Sequence, residues 1–306
     1  MKLFVGVTDS DWYRNLSLQS YDEINFWKPG GKSAFKALDS HDLFLFKLHA
    51  PQNYIVGGGF FVKFSILPSF LAWDAFGKKN GTDTLEALDR KIWKYRGEVT
   101  PNPNIGCIIL ANPFFFSEDQ WIPVPSDWSS SIVQGKVYDS TSTEGFQLFQ
   151  QVQERLHGSS AFTSSSRSFL DIEPRVGETQ AWYRLGQGSF RVLVTEAYNR
   201  RCAVSGEKTL PVLDAAHIKP FSDGGQYSIK NGLLLRTDIH TLFDHGYLTI
   251  TKDYAVEVSH HLKEDYGNGK IYYDYHGRHL PNLPSTVFDR PSPEAIEWHN
   301  ERIFLG

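Results

Sequence analysis

Cysteine is nearly missing from this sequence of 306 residues: Cys107 and Cys202 stand far apart, and no CxxC pair occurs. That excludes a disulfide framework and a cysteine-held structural zinc, so any metal must sit on His, Asp or Glu. Long apolar runs are missing as well. The N-terminal "MKLFVGV" offers one Lys and five further residues before Thr8 and Asp9 interrupt it, too short for a signal-peptide core, and no later stretch reaches membrane-spanning length. The expectation is a cytoplasmic protein with no membrane partner. Nor is there a basic excess: the formal net charge is −4, which argues against an indiscriminate nucleic-acid coat. Local charge differs, because Arg184, Arg191, Arg200, Arg201, Lys208, Lys219, Lys230 and Arg236 lie close in sequence with few acids among them. They form either a positive face or an ordinary mixed surface.

Between residues 1 and about 125 the chain reads as short strands. "LFVGV", "DLFLFKL", "YIVGGGFFVKF" and "IGCIILANPFFF" are rich in β-branched and aromatic residues and are separated by turn clusters such as "KPGGKS" and "APQN". "GTDTLEALDRKIWKYRGE" interrupts them as a helix, with Thr82 or Asp83 as cap and Leu85, Leu88 and Ile92 at helical spacing. Gly57-Gly58-Gly59 lacks the spacing of a nucleotide loop and reads as a bulge or a close backbone approach in a strand. A helix from about Thr143 to Leu156 follows, and the serine-rich "HGSSAFTSSSRS" then marks a linker. The resulting division is a first domain at 1–157, a linker at 158–180 and a second domain at 181–306, of α+β class.

The second domain predicts a helix opened by Ser189 as cap, a strand near Leu210–Ile218, a loop through Asp223-Gly224-Gly225, a short apolar run "GLLL", and a helix "TDIHTLF" ending at Asp244. The final helix, "SPEAIEWHNERIF", starts on Ser292 and Pro293. Within this order, "DAAHIKPF" puts His217 at the end of an apolar strand. Two strands followed by a helix can bring His217, Asn231, His240 and Asp214 within reach of one ion or one water. An unperturbed imidazole titrates near about 6.5, so His217 can act at neutral pH as a general base.

The pattern "CAVSG…DAAHIKPFSDGG…NGLLL…H…LFDHG" resembles the HNH endonucleases, with Asn231 fourteen residues after His217 and His240 nine after Asn231. The resemblance implies a ββα-metal fold with flanking helices and cleavage of a phosphodiester to 5′-phosphate and 3′-hydroxyl ends. It implies that His217 activates water, that Asn231 braces the loop, and that His240 ligates a divalent cation such as Mg²⁺ or Mn²⁺. Lys219 and Arg236 are candidates for phosphate contacts or are simple surface residues. The sequence departs from the family at Ala216, where many members carry a second metal ligand. Asp214, two residues earlier, is displaced by about 6–7 Å along the strand and is either the replacement ligand or a strand-edge carboxylate bonded to backbone. Asp244 is the reserve ligand. The four-cysteine zinc knuckle of some members is missing, as Ser205 shows.

A nuclease module this small leaves specificity to the rest of the chain. "NFWKPGGKSAFKAL…HDLFLFKL…NYIVGGGFFVKFSILP…AWDAFG…RKIWKYRGE…WIPVP" resembles the EVE branch of PUA-like domains, a β-barrel with inserted helices that some bacterial proteins fuse to an HNH domain in modification-dependent restriction enzymes. The resemblance implies double-stranded DNA carrying 5-methyl- or 5-hydroxymethylcytosine as partner, with the base flipped into an aromatic pocket. Trp27, Trp73, Trp93 and Tyr95 are the pocket candidates, and Lys28, Lys32 and Lys63 the nearby phosphate contacts. One HNH site cuts one strand, so a double-strand break takes a homodimer or two events. The rival readings are a catalytically weak modified-DNA-binding module and a nonspecific HNH nuclease toxin.

Overall fold

In a computed structural model of the chain, which describes residues 1–158 and 185–306, the β-rich first half forms one mixed sheet. Its strands are β1 (Lys2–Thr8), β2 (Glu23–Lys28), β3 (Leu43–Leu48), β4 (Tyr54–Pro68), β5 (Asn104–Phe115), β6 (Ile122–Pro123) and β7 (Gly135–Asp139). They run in the order β2-β5-β4-β3-β1-β7, with β6 paired to β4. β1 and β3 pair in parallel and the other neighbours antiparallel. The barrel expected here takes the form of a bulged sheet, and no ladder joins β2 to β7 among the described residues. β4 and β5 are buried along most of their length, as continuous apolar runs covered on both faces should be. The β4–β5 register shifts at Gly58/Phe60 and again at Phe61/Lys63, and such bulges bend a strand. A Cβ on Gly58 would meet the Phe44 carbonyl oxygen at 2.7 Å and the Leu45 side chain at 2.9 Å, so glycine is what permits the close approach.

Three of these strands, β2, β6 and β7, escape the sequence patterns. In β2 the reason is chemical: Glu23 and Asn25 are polar yet fully buried, so the apolar signal is broken. Lys79 Nζ reaches Glu23 at 3.1 Å and the Asn25 amide donates to Asn80 Oδ1 at 2.8 Å, partners that lie more than fifty residues away in sequence. Around the sheet lie α1 (Ser10–Ser17), α2 (Ser69–Phe76), α3 (Leu85–Arg96) and α4 (Thr143–Gly158). The cap of α3 is Thr84, whose side chain accepts from Ala87 N, rather than Thr82 or Asp83. An aromatic core of Trp12, Phe26, Phe44 and Phe46 packs with centroids 4.6–6.1 Å apart.

The chain divides into two compact units, Met1–Gly186 and Gln187–Gly306. The linker expected at 158–180 lies, beyond Gly158, outside the described residues, as does Arg184. The second unit holds α5 (Gln187–Ala197), the hairpin β8 (Leu213–His217) and β9 (Gly232–Arg236), α6 (Thr237–Asp244), a second hairpin of β10 (Leu248–Ile250) and β11 (Val256–Val258), α7 (His261–Tyr266), α8 (Lys270–Tyr273) and α9 (Pro293–Arg302). α5 starts two residues before Ser189, which is buried within the helix instead of capping it. Ser292 does cap α9, accepting from Ala295 N at 3.1 Å. Phe190, Tyr198, Leu234, Ile239 and Phe243 belong to one core that ties α5 and α6 to the first hairpin. Among the described residues no helix is long and apolar enough to cross a membrane.

Candidate active site

His217 ends β8 opposite Gly232, the first residue of β9. Its ring stacks on Phe190 of α5 with centroids 4.0 Å apart and planes 12° apart, and Tyr227 meets it edge-on at 5.2 Å. Gly232 makes that stack possible: a Cβ there would stand 2.5 Å from Val194 and 3.0 Å from the Phe190 ring. α6 follows β9 without a linker and carries His240 to the same place. His217, His240, Asp214, Asp244, Phe190 and Arg191 line one cleft of about 410 Å³.

The two carboxylates left as alternatives by the sequence both reach His240. Asp214 Oδ2 lies 3.6 Å from Nδ1, and Asp244 Oδ2, one helical turn on, lies 3.2 Å from Nε2. Burial pushes the His240 imidazolium down, but these two carboxylates together outweigh it and hold its pKa up at about 9. The same contact with His240 keeps Asp214 below the usual carboxylate range. His217 moves the other way. Burial lowers its pKa, so the ring is neutral at pH 7, and its Nε2 is buried with no hydrogen-bond partner among the described residues. An unpartnered polar atom of this kind is costly in a core and calls for a water, an ion or a catalytic role.

Asn231 does not enter the cleft. It is buried, and its side chain clasps the chain just after His217: Oδ1 accepts from Lys219 N at 2.9 Å, and Nδ2 donates to Lys219 O at 2.8 Å and Gln226 O at 3.0 Å. Arg236, a candidate for phosphate, is instead forked onto Asp238, Nε to Oδ1 at 2.6 Å and a terminal nitrogen to Oδ2 at 2.8 Å. Lys219 holds its Nζ 5.5 Å from the Trp298 ring centroid. The guanidinium that does line the cleft is that of Arg191, 3.9 Å from Asp214 Oδ1. His299 also borders the cleft, but both its ring nitrogens are bonded, to Thr249 Oγ1 at 2.8 Å and to the Phe243 carbonyl at 3.0 Å, and burial lowers its pKa to about 4. It is a core histidine.

Residues 202–251, which hold the hairpin and α6, match the HNH endonuclease family. The chain carries an HNH endonuclease domain. Among solved structures the chain is similar to an ASCH protein of Zymomonas mobilis, a point mutant, at TM-score 0.33 and 9% identity over 50% of this chain and 99% of the other. It is similar also to the modification-dependent TagI restriction endonuclease, at TM-score 0.28 and 14% identity over 93% of this chain and 77% of the other. No match was found among curated proteins. The family match includes Asp214, His217, Asn231, His240 and Asp244, whereas Phe190 and Arg191 of α5 precede it.

Outside the HNH domain, the N-terminal unit has a cavity of about 250 Å³ bordered by Trp12, Phe26, Trp27, Phe35 and Tyr95, with Asp9 and Lys28 among its polar residues. Of the four expected pocket residues it brings together Trp27 and Tyr95, 6.2 Å apart and edge to face. Trp73 and Trp93 are not at this cavity. Trp93 and Tyr95 are two positions apart on α3, about 200° around the helix, and cannot share a face; the Trp93 indole instead donates to Thr100 O at 2.9 Å. Lys32 and Lys63 are exposed and do not line it. Asp9 is the residue that pattern reading overlooked. It caps α1 by accepting from Trp12 N at 2.7 Å, and it holds Lys91 at 3.1 Å and the Tyr95 hydroxyl at 3.3 Å. Burial pushes its carboxyl up, and these three partners more than reverse that, leaving it below the usual range. The legible signal was its place as the capping residue before an amphipathic helix that buries Trp12 and Leu16.

Proposed function

We propose that this chain is a modification-dependent DNA endonuclease, in which the N-terminal unit reads a modified cytosine and the HNH domain hydrolyses a phosphodiester with a divalent cation. The observation that carries the proposal is the single cleft shared by a neutral, orphaned His217 and the Asp214–His240–Asp244 group. The donor set fits a divalent cation. Asp214 and His240 Nδ1 are a carboxylate and an imidazole facing each other, and Asp244 on the far ring nitrogen is the kind of outer partner that orients a ligating histidine. When bound, the cation supplies charge stabilisation at the scissile phosphate.

The residues of the chain do the rest. His217 accepts the proton of the attacking water, held in place by the flat stack on Phe190 and the edge of Tyr227. Asn231 keeps the chain after His217 in one conformation through its clasp on Lys219, a positioning role. Arg191, beside Asp214, is placed to meet a phosphate oxygen when DNA enters. In the N-terminal unit, Trp27 and its aromatic neighbours offer faces to a flipped base, and Asp9 offers an acceptor to the exocyclic amine of cytosine.

Incubation with Mg²⁺ or Mn²⁺ and matched plasmids, modified and unmodified at cytosine, tests both halves. Selective cutting of the modified plasmid is expected. Equal cutting of both would remove the reader, and no cutting with any divalent cation would remove the nuclease. The second reading, a modified-DNA binder without cleavage, is favoured by Ala216, fully buried and without a donor at the position where the family resemblance expects a ligand. Calorimetric metal titration separates the two.

A further inference from the structure

Away from the cleft, three other metal-ligating side chains gather at the corner after β11: His260, His261 and Glu264, each offering a donor atom within 4.8 Å of the other two. The arrangement follows from spacing. Glu264 is four residues after His260 and three after His261, the two separations that meet on one face of a helical turn. Its carboxylate sits 3.0 Å from His261 Nδ1 and 3.8 Å from His260 Nε2, and the two rings lie 4.2 Å apart between centroids. The three side chains are all substantially exposed, so a hydrated ion has free access.

The backbone beneath them is held independently of any ion. Leu262, between the ligands, is buried in the core of the unit. The Tyr273 hydroxyl donates to Ser259 O at 2.8 Å, and His261 N donates to Ser259 Oγ at 3.2 Å. Donors on such a frame need only small rotations to close on a cation with bonds of about 2.0–2.2 Å. Two imidazoles and one carboxylate are a donor set for zinc, nickel, cobalt or copper rather than for magnesium or calcium, which prefer all-oxygen surroundings.

We propose that His260, His261 and Glu264 form a second metal site, selective for imidazole-preferring transition ions such as Zn²⁺, at the β11–α7 corner. The site is separate from the cleft in its residues, and it stands whether or not the cleft reading does. Three protein ligands on an exposed face leave the remaining positions to water or to an external donor. A bound ion ties α7 to the residue before it and stabilises the corner by mass action.

The test uses the untagged full chain, stripped of metal and titrated with ZnCl₂ in a calorimeter. An Asp214→Ala/His240→Ala variant, which silences the cleft, is expected to retain one zinc equivalent, and its melting temperature is expected to rise on zinc addition. Adding His260→Ala and His261→Ala to it should remove both effects. Glu264→Gln, at an exposed position, should weaken the remaining equivalent by at least about tenfold. MgCl₂ should produce none of these effects. Zinc binding and thermal shift that survive the four-residue variant unchanged would overturn the proposal, as would a cleft variant that takes up no zinc at all.

Discussion

Asn231 is the residue whose removal the structure prices most directly. Its side chain makes three hydrogen bonds, to Lys219 N, Lys219 O and Gln226 O, from a position only 7% exposed. Each bond contributes about 1 kcal/mol net, and up to about 3 kcal/mol where the stranded partner finds no water, so Asn231→Ala is expected to cost about 3–5 kcal/mol of unfolding free energy. Asn231→Asp is the sharper probe. It keeps the acceptor for Lys219 N but turns a second carboxylate oxygen toward the two carbonyl oxygens that Nδ2 now serves at 2.8 and 3.0 Å. The carboxylate form is therefore disfavoured in the folded state, and its pKa there is raised. By linkage, the deficit of the variant is fully present at neutral pH and shrinks as pH falls through that raised value. Urea unfolding of both variants at pH 7 and pH 5, alongside cleavage assays, reads the effect. A loss below about 1 kcal/mol at pH 7, with cleavage within a factor of two of the parent, would show that Asn231 does not hold the His217 loop.

Three further outcomes are expected. His217→Phe keeps the stack on Phe190 but removes a buried nitrogen without a partner, so stability should stay level or rise by about 1 kcal/mol while cleavage disappears; retained cleavage would mean that another group is the base. In the metal-free protein, the pKa of His240 near 9 lies above the value of about 6.5 in the unfolded chain. Its pairing therefore stabilises fully below pH 6.5, by up to about 3 kcal/mol, and is lost as pH rises toward 9. The stability gap between the parent and Asp214→Asn should narrow across that window in thermal melts, and a gap independent of pH would count against the pairing. Asp9→Asn preserves a good helix cap but loses the charge and an acceptor at the aromatic cavity, so fluorescence anisotropy should show about a tenfold loss of preference for modified over unmodified DNA; an unchanged preference would remove Asp9 from the reader.

Local chemistry alone determined a good deal of this protein. The apolar runs and turn residues around His217, Asn231 and His240 already predicted two strands followed by a helix, because alternation in strands and turn residues in loops act over a few positions, and those are visible in any stretch of chain. The same locality explains the failures. The sequence set Asp214 first and Asp244 in reserve and missed that both meet His240, because each approaches a different nitrogen of one ring, a matter of β8 register and α6 rotation together. Arg236, weighed as a phosphate contact, is taken by Asp238 two residues on, at the turn from β9 into α6. Phe190, Arg191, Trp12 and Phe35 entered their cavities only through packing between elements distant in sequence, and Trp93 is excluded because it stands on the other side of α3 from Tyr95. Which residue types a site requires is written in short segments, but which copies of them meet depends on side-chain directions that only the assembled core sets.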